Sequence, residues 1–344
     1  MAYEIVATGM AVPSRRVSND ELAQKLDTSD EWIRSHTGIG NRHIADEHTA
    51  ASDLAVQAAQ SALHMLVERD PSLGGSYEAA LESLDMVVVA TATPDFYGFP
   101  STACLVQDRL GAHRAGAVDV VAGCTGFIYA LETAAGMLAL KDSRRRALVI
   151  GAEILSKVTN WQDRSTCVLF GDGAGAVILE KTDAPTKGQG RRGLLRSILG
   201  SDGSGGEHLI LRRGGSRNPY RAGETLDLPP VIEMNGRAVY NFAVKAVTDT
   251  IDALLTEEGI SVEDLAWIVP HQANARIVQA AAKRFGIPEE KFFLNIEEYA
   301  NTSAASIPIA LDEMNRSGKL HRGDLILMVG FGAGLTYGGN LLIW

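Results

Sequence analysis

Short β-branched runs alternate with long helical patterns along nearly the whole chain, and few folds accept that alternation. LDMVVVA (84–90), GAVDVV (116–121), RALVIGAE (146–153), WIVP (267–270) and LILMVG (325–330) read as buried strands. Between them, residues 51–67, 241–260 and 274–287 repeat apolar side chains at helical spacing. Strands separated by helices imply an α/β layered protein with mainly parallel sheets.

The order of these signals also repeats. Each half carries a long helix, then an acidic lead into a strand (LESLDMVVVA; VEDLAWIVP). Each half ends with a strand after a basic cluster or turn (RRRALVIGAE; HRGDLILMVGFG) and a glycine-rich hairpin (GDGAGAVILE; GAGLTYGGNLLIW). Two similar α/β halves packed together account for the echo, one over 1–185 and one over 186–344, joined through the polar stretch 181–193. Residues 200–226, rich in glycine and arginine, read as an excursion over the surface that could serve as a lid.

Composition removes several function classes. No apolar run reaches the roughly 18–20 residues that span a bilayer, so no membrane segment is expected. A net charge of −10 argues against general nucleic-acid binding. The first residues, MAYEIVATGMAVPS, read as a strand and not as a secretion signal. The three cysteines form no CxxC pair and no even set, which suits a reducing cytoplasm. No cluster has metal-ligand spacing, and GDGAGA (171–176) lacks the lysine and following helix of a phosphate loop, so it reads as a turn.

Cys124 stands where a strand pattern ends and a helical one begins, in VVAGCTGFIYAL. A thiol there gains from the partial positive charge of a helix N-terminus, and its backbone N–H is free for an oxyanion. Cys104 and Cys167 have no such setting and read as core. His271, in WIVPHQAN, and Asn301, in YANTSAASIPIAL, occupy the same kind of strand-to-helix junction, where ligands collect in α/β sheets. A cysteine, a histidine and an asparagine converging there could form an acyl-transfer site.

The segments GCTGFIYAL, VPHQAN and NTSAASIPIAL resemble, in order, the three active-site segments of β-ketoacyl-acyl-carrier-protein synthase III. The resemblance spans essentially the whole chain. It implies the thiolase-like fold, a duplicated five-layer α-β-α-β-α arrangement, and a homodimer. It also implies a decarboxylative Claisen condensation that starts fatty-acid synthesis, with acyl-CoA and malonyl-acyl-carrier-protein as substrates and no cofactor. Cys124 would carry the acyl group, with the N–H groups of Cys124 and Ala333 as its oxyanion donors. His271 and Asn301 would hold the malonyl-derived enolate, and Phe331 would keep the pocket apolar.

The resemblance further places Trp32 and Arg164 around the adenine of CoA, with Asn274 among the CoA-binding residues. Arg276, Lys283 and Arg284 fall on the helix that docks the acidic carrier protein. Phe99 falls where a residue closes the partner subunit's acyl pocket, which implies a short starter such as acetyl-CoA. Two departures stand out: His36 replaces an arginine frequent in the family, which would weaken contact with the CoA phosphates or move it to Arg34, and YANTS replaces HGNTS or TGNTS. The absence of a cysteine after Cys167 argues against a thiolase, and Asn301 argues against the Cys-His-His elongating enzymes. A starter-condensing enzyme or acyltransferase of a specialised pathway, a cysteine thioesterase and a non-catalytic acyl-CoA scaffold are the alternatives.

Overall fold

The computed structural model describes residues 1–183, 190–224 and 230–344. The expected junction of the two halves, at 185/186, lies outside the described residues. Five strands of the first half, β1 (Ala2–Ala11), β2 (Leu84–Ala90), β3 (Gly116–Val120), β4 (Arg146–Glu153) and β5 (Gly173–Thr182), form one sheet in the order β1-β5-β4-β2-β3. Four strands of the second half, β6 (Gly193–Ser201), β7 (Trp267–Pro270), β8 (Leu325–Gly332) and β9 (Thr336–Ile343), form another in the order β7-β8-β9-β6. In each sheet two parallel neighbours (β4 with β2, β8 with β7) are followed by antiparallel hairpin strands. The second sheet lacks only a full counterpart of β3. Phe292 takes its place with a single parallel bridge to Ile268. The internal echo of the sequence is therefore a duplication of topology.

Six helices complete five layers. Helices α2 (Ala51–Arg69) and α3 (Thr102–Leu110) cover the outer face of the first sheet, where Leu63, Leu66 and Val106 pack on Val87, Leu148 and Ile178. Helices α5 (Gly236–Glu258) and α6 (Ala275–Phe285) cover the outer face of the second, packing Ile251, Leu254 and Val278 on Ile268, Leu327 and Leu341. Helices α4 (Gly126–Ala139) and α7 (Ser306–Arg316) lie between the sheets, and both faces of this layer are buried. Phe127, Leu131, Ile307 and Leu311 share one core with Val88 and Val149 from one sheet and Val269 and Met328 from the other. Helix α1 (Asp30–Thr37) belongs to a smaller cluster around Ile33, Val17 and Cys167.

Glycines set how closely these layers approach. GDGAGA is not a turn throughout: β5 already begins at Gly173. A Cβ on Gly175 would lie 2.5 Å from the Ile309 nitrogen and 2.6 Å from the Pro308 carbonyl carbon. A Cβ on Gly151 would lie 2.1 Å from the Ala304 oxygen. Bare backbone at these two positions seats α7 directly on the sheet. Cys104 also departs from expectation: it is exposed, because Ala103, Val106 and Leu110 supply the inward face of α3, whereas Cys167 is core. Gly175→Ala is expected to destabilise the fold by about 1–3 kcal/mol, since backbone atoms must give way. An unchanged denaturation midpoint would contradict this close seating.

Candidate active site

The two central helices begin side by side. A Cβ on Gly126 would lie 3.2 Å from the Ala304 Cβ. Ahead of each runs a 3₁₀ turn, Gly123–Thr125 before α4 and Ser303–Ala305 before α7. Cys124 sits in the first turn, and Asn301 lies just ahead of the second. Gly123 has φ +52°, and a Cβ there would meet the Ala333 nitrogen at 2.8 Å. Only glycine serves at this elbow. His271 follows β7, its N–H donating to the Val329 carbonyl at 2.8 Å.

Cys124, His271, Asn301, Phe331, Ala333 and Asn274 line one predominantly apolar cavity of about 190 Å³. Leu209 and Leu211, within the expected excursion, and Ile232 and Met234, on the strand paired antiparallel with it, line the same cavity. Thr336 ties the nucleophile turn to the glycine-rich one. Its hydroxyl lies 2.9 Å from Thr125 Oγ1, 2.9 Å from the Ala122 oxygen and 3.1 Å from the Ala333 oxygen. Among the described residues, neither the Cys124 nor the Ala333 N–H donates to a protein acceptor. Two free N–H groups beside a thiol are donors of the kind that can receive an oxyanion.

The tautomer of His271 follows from its neighbours. Nδ1 lies 2.7 Å from the Ser306 hydroxyl, which also accepts a long bond (3.4 Å) from the Gln272 N–H. The hydroxyl has no other acceptor among the described residues, so it donates to Nδ1 and the ring proton sits on Nε2. Nε2 is buried and unpartnered. Burial pushes the ring down to about 3, so His271 is neutral at pH 7. Phe331 meets the imidazole edge-on, with ring centroids 5.5 Å apart.

Asn301 is fixed by its backbone and by one side of its amide. Its N–H donates to the Leu169 carbonyl at 2.9 Å, and Oδ1 accepts from the Ser303 N–H at 2.9 Å. With Oδ1 occupied, Nδ2 remains available to the cavity. The surrounding turn is strained: Ala300 has φ +57° and Ser303 φ +49°. That explains why glycine suits position 300 better than the alanine this chain carries.

Cys124 departs from expectation. Burial pushes its thiol up to about 12, a hydrogen bond from Ser303 pulls it down, and the nearby charge of Glu153 pushes it further up. With the thiol pushed up and the imidazole pushed down, the resting pair is a thiol beside a neutral imidazole.

Trp32 and Arg164 lie outside this cavity but against each other, the guanidinium carbon 4.9 Å from the indole centroid. No ring fits between them until they part. His36 stacks on the same indole at 4.4 Å, and its Nδ1 lies 2.7 Å from the Trp32 carbonyl oxygen. Arg34 is committed to Asp30 and Glu297, which leaves it poorly placed for phosphate. Asn274 caps α6 through Oδ1 and donates from Nδ2 to the His36 carbonyl, linking the cavity wall to the Trp32 segment. Arg276, Lys283 and Arg284 are exposed along α6, with Arg284 3.7 Å from Asp252. Phe99 is 91% exposed and reaches no part of its own cavity. Ser306 and Thr336 were not singled out by sequence reasoning. The position of Ser306 at the head of the SIPIAL helix was the available signal.

Two family models match this chain: 3-oxoacyl-[acyl-carrier-protein] synthase III over residues 118–203, and its C-terminal part over 255–344. A β-ketoacyl-[acyl-carrier-protein] synthase III of Natranaerobius thermophilus is 47% identical over 341 residues, 99% of each chain. The crystal structure of 3-oxoacyl-[acyl-carrier-protein] synthase III from Aquifex aeolicus superposes with a TM-score of 0.85 at 41% identity, covering 99% of this chain and 100% of that one. The priming β-ketosynthase of the R1128 polyketide pathway also superposes, with a TM-score of 0.85 at 34% identity over 99% and 96% of the two chains.

The ionisation state of the resting thiol is directly measurable. The rate of Cys124 alkylation by a small haloacetamide should keep rising with pH through 9, because the thiolate fraction grows until pH approaches about 12. A plateau at or below neutral pH would reveal a preformed thiolate and contradict the burial argument.

Proposed function

The chain belongs to the β-ketoacyl-[acyl-carrier-protein] synthase III family, and we propose that it joins a short acyl-CoA, acetyl-CoA first among them, to malonyl-acyl-carrier-protein. The product is 3-ketoacyl-acyl-carrier-protein, the first committed chain of fatty-acid synthesis. One observation carries the assignment of roles: a buried Nε2–H without a partner faces the same apolar cavity as the thiol and its two free N–H groups.

In the first half-reaction Cys124 sulfur bonds to the acyl carbon as the carbon–sulfur bond to CoA breaks. The proton lost by the thiol is balanced by the one CoA gains on leaving. The N–H groups of Cys124 and Ala333 receive the charge that forms on the acyl oxygen. In the second, malonyl-acyl-carrier-protein loses CO2, and the electron pair of the broken carbon–carbon bond becomes an enolate. His271 Nε2–H and Asn301 Nδ2–H donate to that enolate oxygen. The carbanion carbon then bonds to the acyl carbon, the same two N–H groups hold the tetrahedral oxyanion, and the Cys124–carbon bond breaks. Phe331 keeps charged carboxylate poorly solvated beside His271, which favours its loss as neutral CO2. None of these steps requires a cofactor.

Partners follow the same reading. Strand β3 pairs only with β2 among the described residues, and Phe96, Phe99 and Val121 stand exposed beside it. An apolar, unpaired sheet edge supports a homodimer through β3, with each Phe99 closing the partner's acyl pocket. Arg276, Lys283 and Arg284 supply local positive charge for an acidic carrier protein on a chain of net charge −10. Trp32 and Arg164 would part to take the adenine. Three unpaired cysteines support a cytoplasmic setting. Similarity to a priming β-ketosynthase favours, as the second reading, the same condensation on a starter of a specialised pathway.

The half-reactions separate the roles. His271→Ala and Asn301→Ala should each slow malonyl decarboxylation by about 10²–10³-fold, the cost of one lost oxyanion donor. Acylation of Cys124 by radiolabelled acetyl-CoA should stay within a few-fold of wild type. Equal losses in both half-reactions would assign His271 to thiol activation instead.

A further inference from the structure

The duplication places Glu153 in a telling position. Glu153 ends β4, as Gly332 ends β8, and β4 and β8 are counterparts in the two sheets. Just beyond β8 the chain seats itself against the nucleophile turn: a Cβ on Gly332 would lie 2.5 Å from the Cys124 nitrogen. The end of β4 faces the equivalent turn before α7, where the second half has its Ser303–Ala305 segment. One end thus serves Cys124. The other serves Asn301.

Glu153 is fully buried and has no cationic partner among the described residues. Its carboxylate is instead surrounded by donors from both halves. From the first half come the Ala92 N–H (3.2 and 3.1 Å to the two oxygens), the Thr93 N–H (3.1 Å), the Thr93 hydroxyl (2.6 Å) and the Thr91 hydroxyl (3.4 Å). From the second half comes the Ala304 N–H, at 3.5 Å from Oε1. The Thr93 hydroxyl in turn accepts from the Ile154 N–H at 2.8 Å. Ala92 and Thr93 line the cavity on one side of the carboxylate and Ser303 on the other. The neighbouring Ser303 N–H holds Asn301 Oδ1.

We propose that Glu153 is a positioning residue that clamps the 91–93 loop of the first half to the 303–304 turn of the second and thereby aims Asn301 Nδ2 at the enolate. Ser303, in the turn it holds, stands at positive φ, as does Ala300 just ahead of Asn301, a conformation that relaxes unless its surroundings fix it. A carboxylate can accept from all these donors at once, whereas an amide of the same shape presents an NH2 to some of them. The inference rests on the reading of Asn301 as an enolate donor.

Glu153→Gln tests it with a readout that a purely structural role would not move. Decarboxylation of malonyl-acyl-carrier-protein by the preformed acyl-enzyme should fall about tenfold, whereas Cys124 acylation should stay within a few-fold of wild type. In an Asn301→Ala background the same substitution should cost nothing further, because its effect passes through Asn301. Thr93→Val, which removes the shortest donor together with the acceptor of the Ile154 N–H, should show a smaller loss of the same kind and covers the case in which Glu153→Gln fails to fold. Unchanged decarboxylation, equal loss in both half-reactions, or full additivity with Asn301→Ala would overturn the clamp. A wild-type protein that acylates but never condenses would instead overturn the proposed function itself.

Discussion

Everything in the site depends on two central helices starting at the same point, sandwiched between two sheets. Glycine backbone at Gly151 and Gly175 lets α7 lie directly on the first sheet, and Gly126 lets α4 begin against Ala304. Larger side chains would push the layers apart by the width of a methyl group, in a core packed on both faces. Because Cys124 lies in the turn ahead of α4 and Asn301 just before the turn ahead of α7, the packing of the two helices also sets the separation of Cys124 and Asn301. Stability and geometry therefore rest on the same contacts.

The cavity is apolar and its reactive pair is uncharged at rest. Burial raises Cys124 and lowers His271, so proton transfer between them is disfavoured and no ion pair forms. What the protein supplies is a set of donors without acceptors, and in the proposed reaction charge develops beside them. The Cys124 and Ala333 N–H groups and His271 Nε2 are that set, each held by bonds on its far side: Thr336 to the Ala333 carbonyl, Ser306 to Nδ1. Donors fixed in advance in a dry site stabilise a transition state without reorganising. Leaving them unbonded in the resting protein costs free energy that substrate binding recovers.

Much of this was legible in the sequence. Period changes located the helices and strands, and the internal echo foretold the paired sheets, because duplication preserves the order of elements even where side chains diverge. Cys124 and His271 were visible because each stands alone at a strand-to-helix junction; Asn301 was visible ahead of its helix, although what precedes it is the short helix Ile296–Tyr299 and not a strand. The thiol's ionisation was not legible: it depends on how completely the lid hairpin and both sheets desolvate the sulfur, which no local pattern encodes. Nor was the exposure of Cys104, which turns on a single step around α3. Glu153 escaped notice because its role depends on the 303–304 turn, distant in sequence and reached only through the fold. GDGAGA misled for a related reason, since its glycines answer to a helix packed across the sheet.

The most direct test of the account is to mix the protein with isotopically labelled acetyl-CoA and malonyl-acyl-carrier-protein and identify the products by intact-protein mass spectrometry. The account requires the label on Cys124 first, then on carrier protein as a four-carbon 3-ketoacyl group, with both species lost in Cys124→Ser. Label released only as free acetate, or ketoacyl product persisting without Cys124, would contradict it.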